Sequence, residues 1–494
     1  MNKKVIAIFL TLLGVTNIHA KTLKENVVEV LNTHPVVLER LSNFHLTQQE
    51  LNVAKSDFYP SLDLRTSTHY NFDGKMNSDV KDENYGSFEN TLTFTYNLFN
   101  GFATQNNITQ EQARVISSSY NYLEQVNDIA FKMSKVYIDV MKTLKLLDIA
   151  KENVDINREI YEKVNVLYES GFITESEVQK IQGSLALARS NYTVKKNDFY
   201  DAQYSARRVL GRMLNTNEMK HPTLSIDIPK SIQEAALYAI THNPSMLVGK
   251  YKIKATQALY KIQQQGKYPK VDFEVAHRYN DSKIPDDNFK IGFVLSYNIY
   301  DGGKEEANTQ KYISQIHQEV QNRRDVKRQV IEGLDLSWSS YEMVGEQLQD
   351  LIQYRDFSKK TLDLYKEEYN MGRKSLLDLL SAQEDFIKAK SQIVEAHYDK
   401  LFAKYRILDA MGLLTSAILG DDNYLKANVN LDLQSAAKEV KDLLPIRYDA
   451  DDDKVSDLRD LCDNSLSGSD IMLYGCQKHE KHNIVEFDTA KEVF

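Results

Sequence analysis

The sequence predicts a mainly α-helical protein with transmembrane β-strands, each chain holding four strands and two long antiparallel helix pairs. Three observations support this expectation. The tract from Phe102 to Tyr168 contains neither Pro nor Gly, the residues that most often stop helices. Two pairs of segments alternate apolar and polar residues with a period of two, the pattern of strands whose faces meet different surroundings. Landmarks in the first half also recur in the second at fixed distances, the mark of an internal duplication.

Composition bounds the remaining choices. The chain has 494 residues, 42% of them hydrophobic and 27% charged, ordinary values for a folded protein. Its formal net charge is −9 and no basic stripe stands out, so nucleic acid is not an expected partner. Residues 1–20 read as a signal peptide: Lys3 and Lys4, an apolar run from Val5 to Val15, then Ile18-His19-Ala20 as a cleavage site. That run is too short to span a bilayer. No later stretch approaches the roughly 18 consecutive apolar residues of a membrane helix, so any crossing must use strands.

The repeats divide the rest into residues 21–221, residues 222–420 and an acidic extension, 421–494. Pro35 and Pro244, like Pro60 and Pro269, stand 209 apart. Gly101 and Gly302, Gly171 and Gly372, and Gly211 and Gly412 stand 201 apart. One eight-residue deletion in the polar loop between Asn71 and Ser87 explains both offsets. Each repeat opens with an amphipathic helix, expected over Leu23 to Phe58 and again from Ser231 to about Gln265.

A strand pair follows in each repeat, expected over 60–99 and 269–300. Leu62, Leu64, Thr66, Thr68, Tyr70 and Phe72 share one face, opposite Asp63, Arg65, Ser67, His69 and Asn71. Phe88, Leu92, Phe94, Tyr96 and Leu98 likewise oppose Glu89, Thr91, Thr93, Thr95 and Asn97. The second pair repeats the pattern through Val271, Phe273, Val275 and Tyr279, then Phe289, Ile291, Phe293, Leu295, Tyr297 and Ile299. Alternation of this length fits membrane strands of about 9–11 residues.

Long helix pairs come next, over 102–212 and 303–412. In the first, Leu123, Val126, Ala130, Met133, Tyr137, Val140, Leu144 and Leu147 recur at steps of three and four, a seam for a packed partner helix. Gly171 and Gly372 sit at the turns between the arms, where a helix ends in left-handed backbone. Each long arm would run about 100 Å at 1.5 Å per residue.

Four strands cannot close a barrel, and an open edge in lipid leaves backbone groups without partners. Copies must therefore pool strands. Two copies give eight, an interior filled by side chains; three give twelve, wide enough for a lumen. The geometry then predicts a trimeric 12-strand β-barrel continuous with a 12-helix α-barrel, a conduit across an envelope. The competing architecture is a trimeric coiled-coil surface stalk or adhesin without a conducting lumen, which would need neither duplicated strand pairs nor helices that return at a Gly turn.

The chain resembles the TolC outer-membrane efflux and secretion proteins. The resemblance rests on the two-fold repeat, the Asn243-Pro244 and Tyr-Pro openings, Leu98-Phe99-Asn100-Gly101 and Ile299-Tyr300-Asp301-Gly302. It rests also on Tyr369-x-x-Gly372 through Asp378-Leu379-Leu380-Ser381-Ala382-Gln383, and covers roughly residues 22–415. It implies a homotrimer in the outer membrane of a Gram-negative bacterium, with an α-barrel in the periplasm closed at its tip. It implies as partners outer-membrane lipid, a periplasmic adaptor (membrane fusion) protein, and an inner-membrane pump of the ABC or proton-driven kind. It places a gate at the helix tips, with Glu177 and Asp378 as the acidic residues and Tyr369 and Lys374 as closing links, Arg373 being a rival to Lys374. Ser381 stands where family members often carry a second acid.

In the extension, Asp449, Asp451, Asp453, Asp457 and Asp460 supply carboxylates, and Val455 a carbonyl, at spacings suited to Ca²⁺. The segment 449–476 resembles thrombospondin type 3-like calcium repeats, with Lys454 where those usually carry Gly. The only two cysteines, Cys462 and Cys476, favour a disulfide in an exported chain. No cofactor is otherwise required. The sequence holds no phosphate-cradling Gly-rich loop, no HExxH and no nucleophile elbow, and so is not expected to be an enzyme.

Overall fold

The computed structural model describes residues 22–71, 85–281 and 286–420. The signal peptide at 1–20 and the extension at 421–494, with the candidate calcium ligands and both cysteines, lie outside the described residues.

Two helices, not one, open each repeat. Helix α1 (Leu23–Thr33) stops at His34, whose extended backbone (φ −71°, ψ 124°) is what a residue before Pro prefers. Pro35 then starts α2 (Pro35–Ser56) at the first helical position, where its missing N–H costs nothing. The second repeat breaks identically at Asn243-Pro244, between α5 (Ile232–His242) and α6 (Pro244–Gln263). The expectation of one unbroken amphipathic helix at each place is corrected on this point.

The strands form one antiparallel sheet in the order β1-β2-β3-β4: Ser61–Asn71, Tyr85–Asn100, Lys270–Asp281 and Asp286–Ser296. Its register stacks like on like. Leu62 faces Phe94, Leu64 faces Leu92, Phe273 faces Phe293 and Val275 faces Ile291 on one side. The other side pairs Thr91 with Arg278 and Asn97 with Asp272. The apolar side is bare within one chain, with Leu64 70% and Phe293 72% exposed, so it requires a non-aqueous neighbour.

Two details differ from the sequence reading. The register shifts between Asn97 and Phe99, a bulge that sets Phe99 opposite Val271. Phe99, rather than Leu98, thereby joins the apolar side, since one extra residue reverses every later side chain. Strand β4 also ends at Ser296, leaving Tyr297 and Ile299 outside the sheet; Ile299 is 90% exposed.

Below the sheet run α3 (Ala103–Glu169) and α7 (Lys304–Asn370), 67 residues each, so about 100 Å at 1.5 Å per residue. They return as α4 (Glu175–Leu210) and α8 (Leu376–Ala410). Helix α2 lines the half of α3 nearer the sheet, where Thr47 and Ser118 hydroxyls bond at 2.7 Å. Helix α4 lines the other half, through Val154, Leu185 and Ala188. Among the described residues no helix is long and apolar enough to cross a membrane.

The expected seam is real near the middle of α3. Val126, Ala130, Met133, Tyr137 and Val140 are buried, while Leu123, Leu144 and Leu147 are half-buried. Past Val140 the burial moves to Leu146, Ile149 and Val154, because the covering elements change along the rod. At mid-length α3 meets α1, α8 and the short α9 (Leu414–Leu419), which share its largest core cluster.

Candidate functional site: the helix tips

Both long arms end in the same hydrogen-bonded turn. After α3, Gly171 (φ 76°) donates its N–H to the Tyr168 carbonyl, and Phe172 donates to Leu167, both at 2.9 Å. After α7, Gly372 (φ 71°) donates to Tyr369 at 2.9 Å and Arg373 to Glu368 at 2.8 Å. This pair of bonds satisfies carbonyls that a helix end leaves open, and the left-handed residue between them favours Gly.

The two tips are packed together within one chain. Ile160 and Val164 of α3, Val178 and Ile181 of α4, and Leu376 and Leu380 of α8 form one buried cluster, with Tyr369 against it. Tyr369 also touches a second cluster, Leu362, Leu379 and Ala382. The hydrocarbon part of its ring is thus held by both helix pairs. Its hydroxyl is buried and has no hydrogen-bond partner among the described residues. Burial, with a smaller contribution from the Glu177 carboxylate, raises its pKa above the usual tyrosine value.

The two acids occupy equivalent positions and do different things. Asp378 closes a capping box on α8. Its Oδ2 accepts from the Ser375 hydroxyl at 2.8 Å and the Ser375 N–H at 3.2 Å, and its own N–H donates to Ser375 Oγ at 3.2 Å. Those Ser375 hydrogen bonds hold the Asp378 carboxyl below the ordinary aspartate range. On α4 the corresponding N-cap, Thr174, makes no side-chain capping bond and shares its hydroxyl with Ser176 at 2.8 Å. The Glu177 carboxylate is therefore not tied to a cap.

Lys374, in the turn after α7, lies 4.2 Å from the centre of the ring of Tyr365, nine residues earlier on that helix. Its ammonium sits on an aromatic face rather than at Tyr369. The sequence reading identified the acids and the glycines but not Ser375 or Tyr365. A Ser three residues before Asp378 is the signature of a capping box, so the first of these was available in the sequence.

A model of the family described as outer membrane efflux protein matches residues 27–212 and 238–413. The chain belongs to this family. Its two matched blocks fall on the two repeats, and membership places the protein in the outer membrane with a large helical part in the periplasm. It is 23% identical over 331 residues to the outer membrane efflux protein BepC of Brucella suis, covering 65% of this chain and 72% of that one. It is 18% identical over 446 residues to TolC of Escherichia coli, covering 84% and 88%. It is also 20% identical over 354 residues to the alkaline protease secretion protein AprF of Pseudomonas aeruginosa, covering 69% and 72%. Among solved structures, the Campylobacter jejuni CmeC outer membrane channel superposes with a TM-score of 0.71 at 14% identity, over 84% of this chain and 90% of that one. CusC superposes with a TM-score of 0.69 at 14% identity, over 79% and 91%.

Proposed function

We propose that three copies of this chain build one passive export conduit, open to the exterior through a shared 12-strand barrel and gated at the periplasmic helix tips. The observation that supports this most is the four-stranded sheet. Its outer strands β1 and β4 end the sheet, and their apolar side chains, among them Leu62, Leu64, Phe289, Ile291 and Phe293, are exposed within one chain. In lipid, backbone groups on those edges need partners, and the β4 edge of one copy offers them to β1 of the next. The polar side, with Glu89 bonded to Arg278 at 2.9 Å, then lines water.

Below the barrel the helices of three copies enclose the conduit, and the tips carrying Glu177, Asp378, Tyr369 and Lys374 form its periplasmic end. Rings of carboxylate there favour cations. A periplasmic adaptor and an inner-membrane pump, ABC or proton-driven, supply cargo and energy; the chain itself catalyses no reaction. The relatives include an efflux protein and a protease secretion protein, so the cargo is either small molecules or a secreted polypeptide. The extension at 421–494 adds a calcium-binding segment closed by a Cys462–Cys476 disulfide.

The test is conductance. Purified protein in a planar bilayer should insert as a trimer and pass ions in discrete steps. A trimer that inserts and conducts nothing would favour the solid stalk, and a chain that stays monomeric in detergent would remove the pooled barrel.

A further inference from the structure

A groove between α2 and α3, close below the sheet, holds more negative charge than its own chain neutralises. It encloses about 550 Å³ and is lined by Glu50 and Asp57 from α2 and its end, by Glu111 and Arg114 of α3, and by Leu46 and Val53 of α2. Arg114 is the one cation in that lining, against three carboxylates. Glu111 is 6% exposed. One of its carboxylate oxygens accepts from Arg114 at 3.0 Å, while the other is buried without a partner among the described residues. Burial, opposed by Arg114 and reinforced by Glu50, pushes the Glu111 carboxyl above the ordinary glutamate range. Leu46 and Val53 are exposed. A cation with an apolar stem fits such a groove.

The duplication supplies a candidate for that cation. Below the sheet the helices pack in the row α2, α3, α6, α7, the order of the strands above them, because α2 leads into β1 and β4 leads into α7. Pairing β4 with β1 of the next copy therefore brings α7 beside the next copy's α2. The structure already contains the equivalent contact, between α3 and α6. There Ala113 and Ile116 meet Tyr251 and Ala255, and the Ser117 hydroxyl donates to the Val248 carbonyl at 3.4 Å. Moved by the repeat offsets of 201 and 209, this contact sets Ser314 and His317 of α7 against Ser42 and Leu46 of α2. All four are exposed in one chain. One helical turn nearer the sheet, the same two helices carry Lys311 and Glu50. Lys311 is exposed, its ammonium 5.2 Å from the centre of the Tyr312 ring.

We propose that Lys311 from α7 of the next copy completes this groove, its ammonium pairing with Glu50 and the open oxygen of Glu111 while its stem crosses Leu46 and Val53. The proposal rests on the shared barrel put forward above and adds the contact that sets one rod against the next. Each copy offers the groove on one edge and the lysine on the other, so three such pairs close the ring. Their effect is on register. A slip of one turn would carry the ammonium away and leave the buried Glu111 charge without its second partner, which is costly.

The test uses the detergent-solubilised full-length protein carrying Cys462→Ser and Cys476→Ser. In that background, a short bismaleimide should join Glu50→Cys with Lys311→Cys into covalent dimers and trimers on a denaturing gel. Either cysteine alone should leave monomers, and Glu50→Cys with Gln318→Cys, two turns further down α7, should lose most of the product. Charge exchange then tests the pair itself. Lys311→Glu and Glu50→Lys should each lower the temperature at which SDS splits the trimer, and the two together should recover it. Absence of cross-linked product, or equal dissociation temperatures in all variants, would overturn the proposal. So would loss without recovery in the exchanged pair, which would mean that the carboxylates hold a soluble or lipid amine instead. A wild type that is monomeric in mild detergent would remove the shared barrel itself, so the two failures are told apart by the mass of the wild-type particle.

Discussion

Phe102 and Gly303 stand at the same point of the two repeats, 201 residues apart, and both hold left-handed backbone, with φ of 65° and 83°. Each is the residue from which a 67-residue helix starts. Gly adopts that backbone freely, whereas a side chain there costs about 1–2 kcal/mol. Phe102 is the only residue other than Gly with positive φ among the described residues. Its ring stands edge-on to Phe99 at 5.2 Å and to Tyr268 at 5.8 Å. Two such aromatic pairs contribute roughly 1–3 kcal/mol, enough to offset the backbone strain. The sheet is thus joined to the first rod by an aromatic clamp and to the second by two glycines.

This makes the order of two substitutions predictable. Phe102→Leu keeps the strained backbone and removes both ring contacts. Phe102→Gly removes the contacts and the strain together. Thermal unfolding in detergent should rank wild type above Phe102→Gly, and Phe102→Gly above Phe102→Leu. If the leucine variant is the more stable of the two, the strain at this position is small and the argument fails.

At the tips, the unequal roles of the acids separate electrostatics from stability. Glu177→Gln should reduce the preference for cations, read as a reversal potential across a salt gradient, and leave the melting temperature unchanged. Asp378→Asn should reduce the preference and also lower the melting temperature, because the capping box on α8 is lost. Ser375→Ala should reproduce the stability loss, about 1 kcal/mol for a removed N-cap, without altering selectivity. A Glu177→Gln channel with an unaltered reversal potential would mean that this carboxylate does not face the conducting path.

Much of this architecture was legible because it depends on local rules that leave clear marks. Helix length follows from the absence of Pro and Gly after Phe102, and the turns follow from Gly171 and Gly372. The strands follow from alternation, and the duplication follows from offsets of 209 and 201. The misreadings lie where one residue changes a register. Pro35 and Pro244 mark the repeat, and each also holds the residue before it out of helical backbone, which splits the expected helix in two. The bulge before Phe99 leaves no mark in an alternating pattern. The contacts that hold the tips, such as Lys374 on Tyr365 and the two-sided packing of Tyr369, were illegible for another reason: they depend on how helices far apart in sequence meet.

Asp409 gives a pH signature. It lies at the end of α8, where its Oδ1 accepts from Asn127 Nδ2 at 2.6 Å. Asn127 in turn accepts from the N–H and hydroxyl of Thr415, both at 3.2 Å. Burial, with repulsion from Asp128 and against attraction from Arg406, pushes the Asp409 carboxyl up to about 7. A raised carboxyl pKa means that the folded chain binds this proton more tightly than the unfolded chain, whose aspartates titrate near 3.8. The resulting stabilisation is complete below about pH 4 and disappears as pH rises through 7. Thermal stability should accordingly fall between pH 5 and pH 8, each at equal salt. Asp409→Asn, which mimics the protonated form, should flatten that part of the profile and raise stability at pH 8. An unchanged slope in the asparagine variant would place the titrating group elsewhere.

The extension gives a test independent of the channel. Calorimetric titration of the full chain with Ca²⁺ should show saturable heat that Asp451→Asn with Asp453→Asn abolishes, since both carboxylates belong to the proposed set of calcium ligands. Heat that persists in the double variant would assign calcium to another part of the molecule.

The last prediction concerns a hydroxyl. Tyr369 has its ring fixed by both helix pairs, while its O–H is buried without a partner among the described residues of one chain. A buried hydroxyl left unpaired costs about 1–3 kcal/mol, so a single copy carries a penalty that an acceptor from elsewhere would relieve. In the closed trimer proposed above, the tips of three copies would converge, and a neighbouring copy would supply that acceptor. Tyr369→Phe deletes the hydroxyl and leaves the ring packing intact. If the hydroxyl helps to close the tip, the phenylalanine channel should spend more time open in single-channel records, with no loss of trimer or of melting temperature. A variant that melts higher and gates like the wild type would show instead that the hydroxyl is unsatisfied in the assembly too, and that closure is held by other groups.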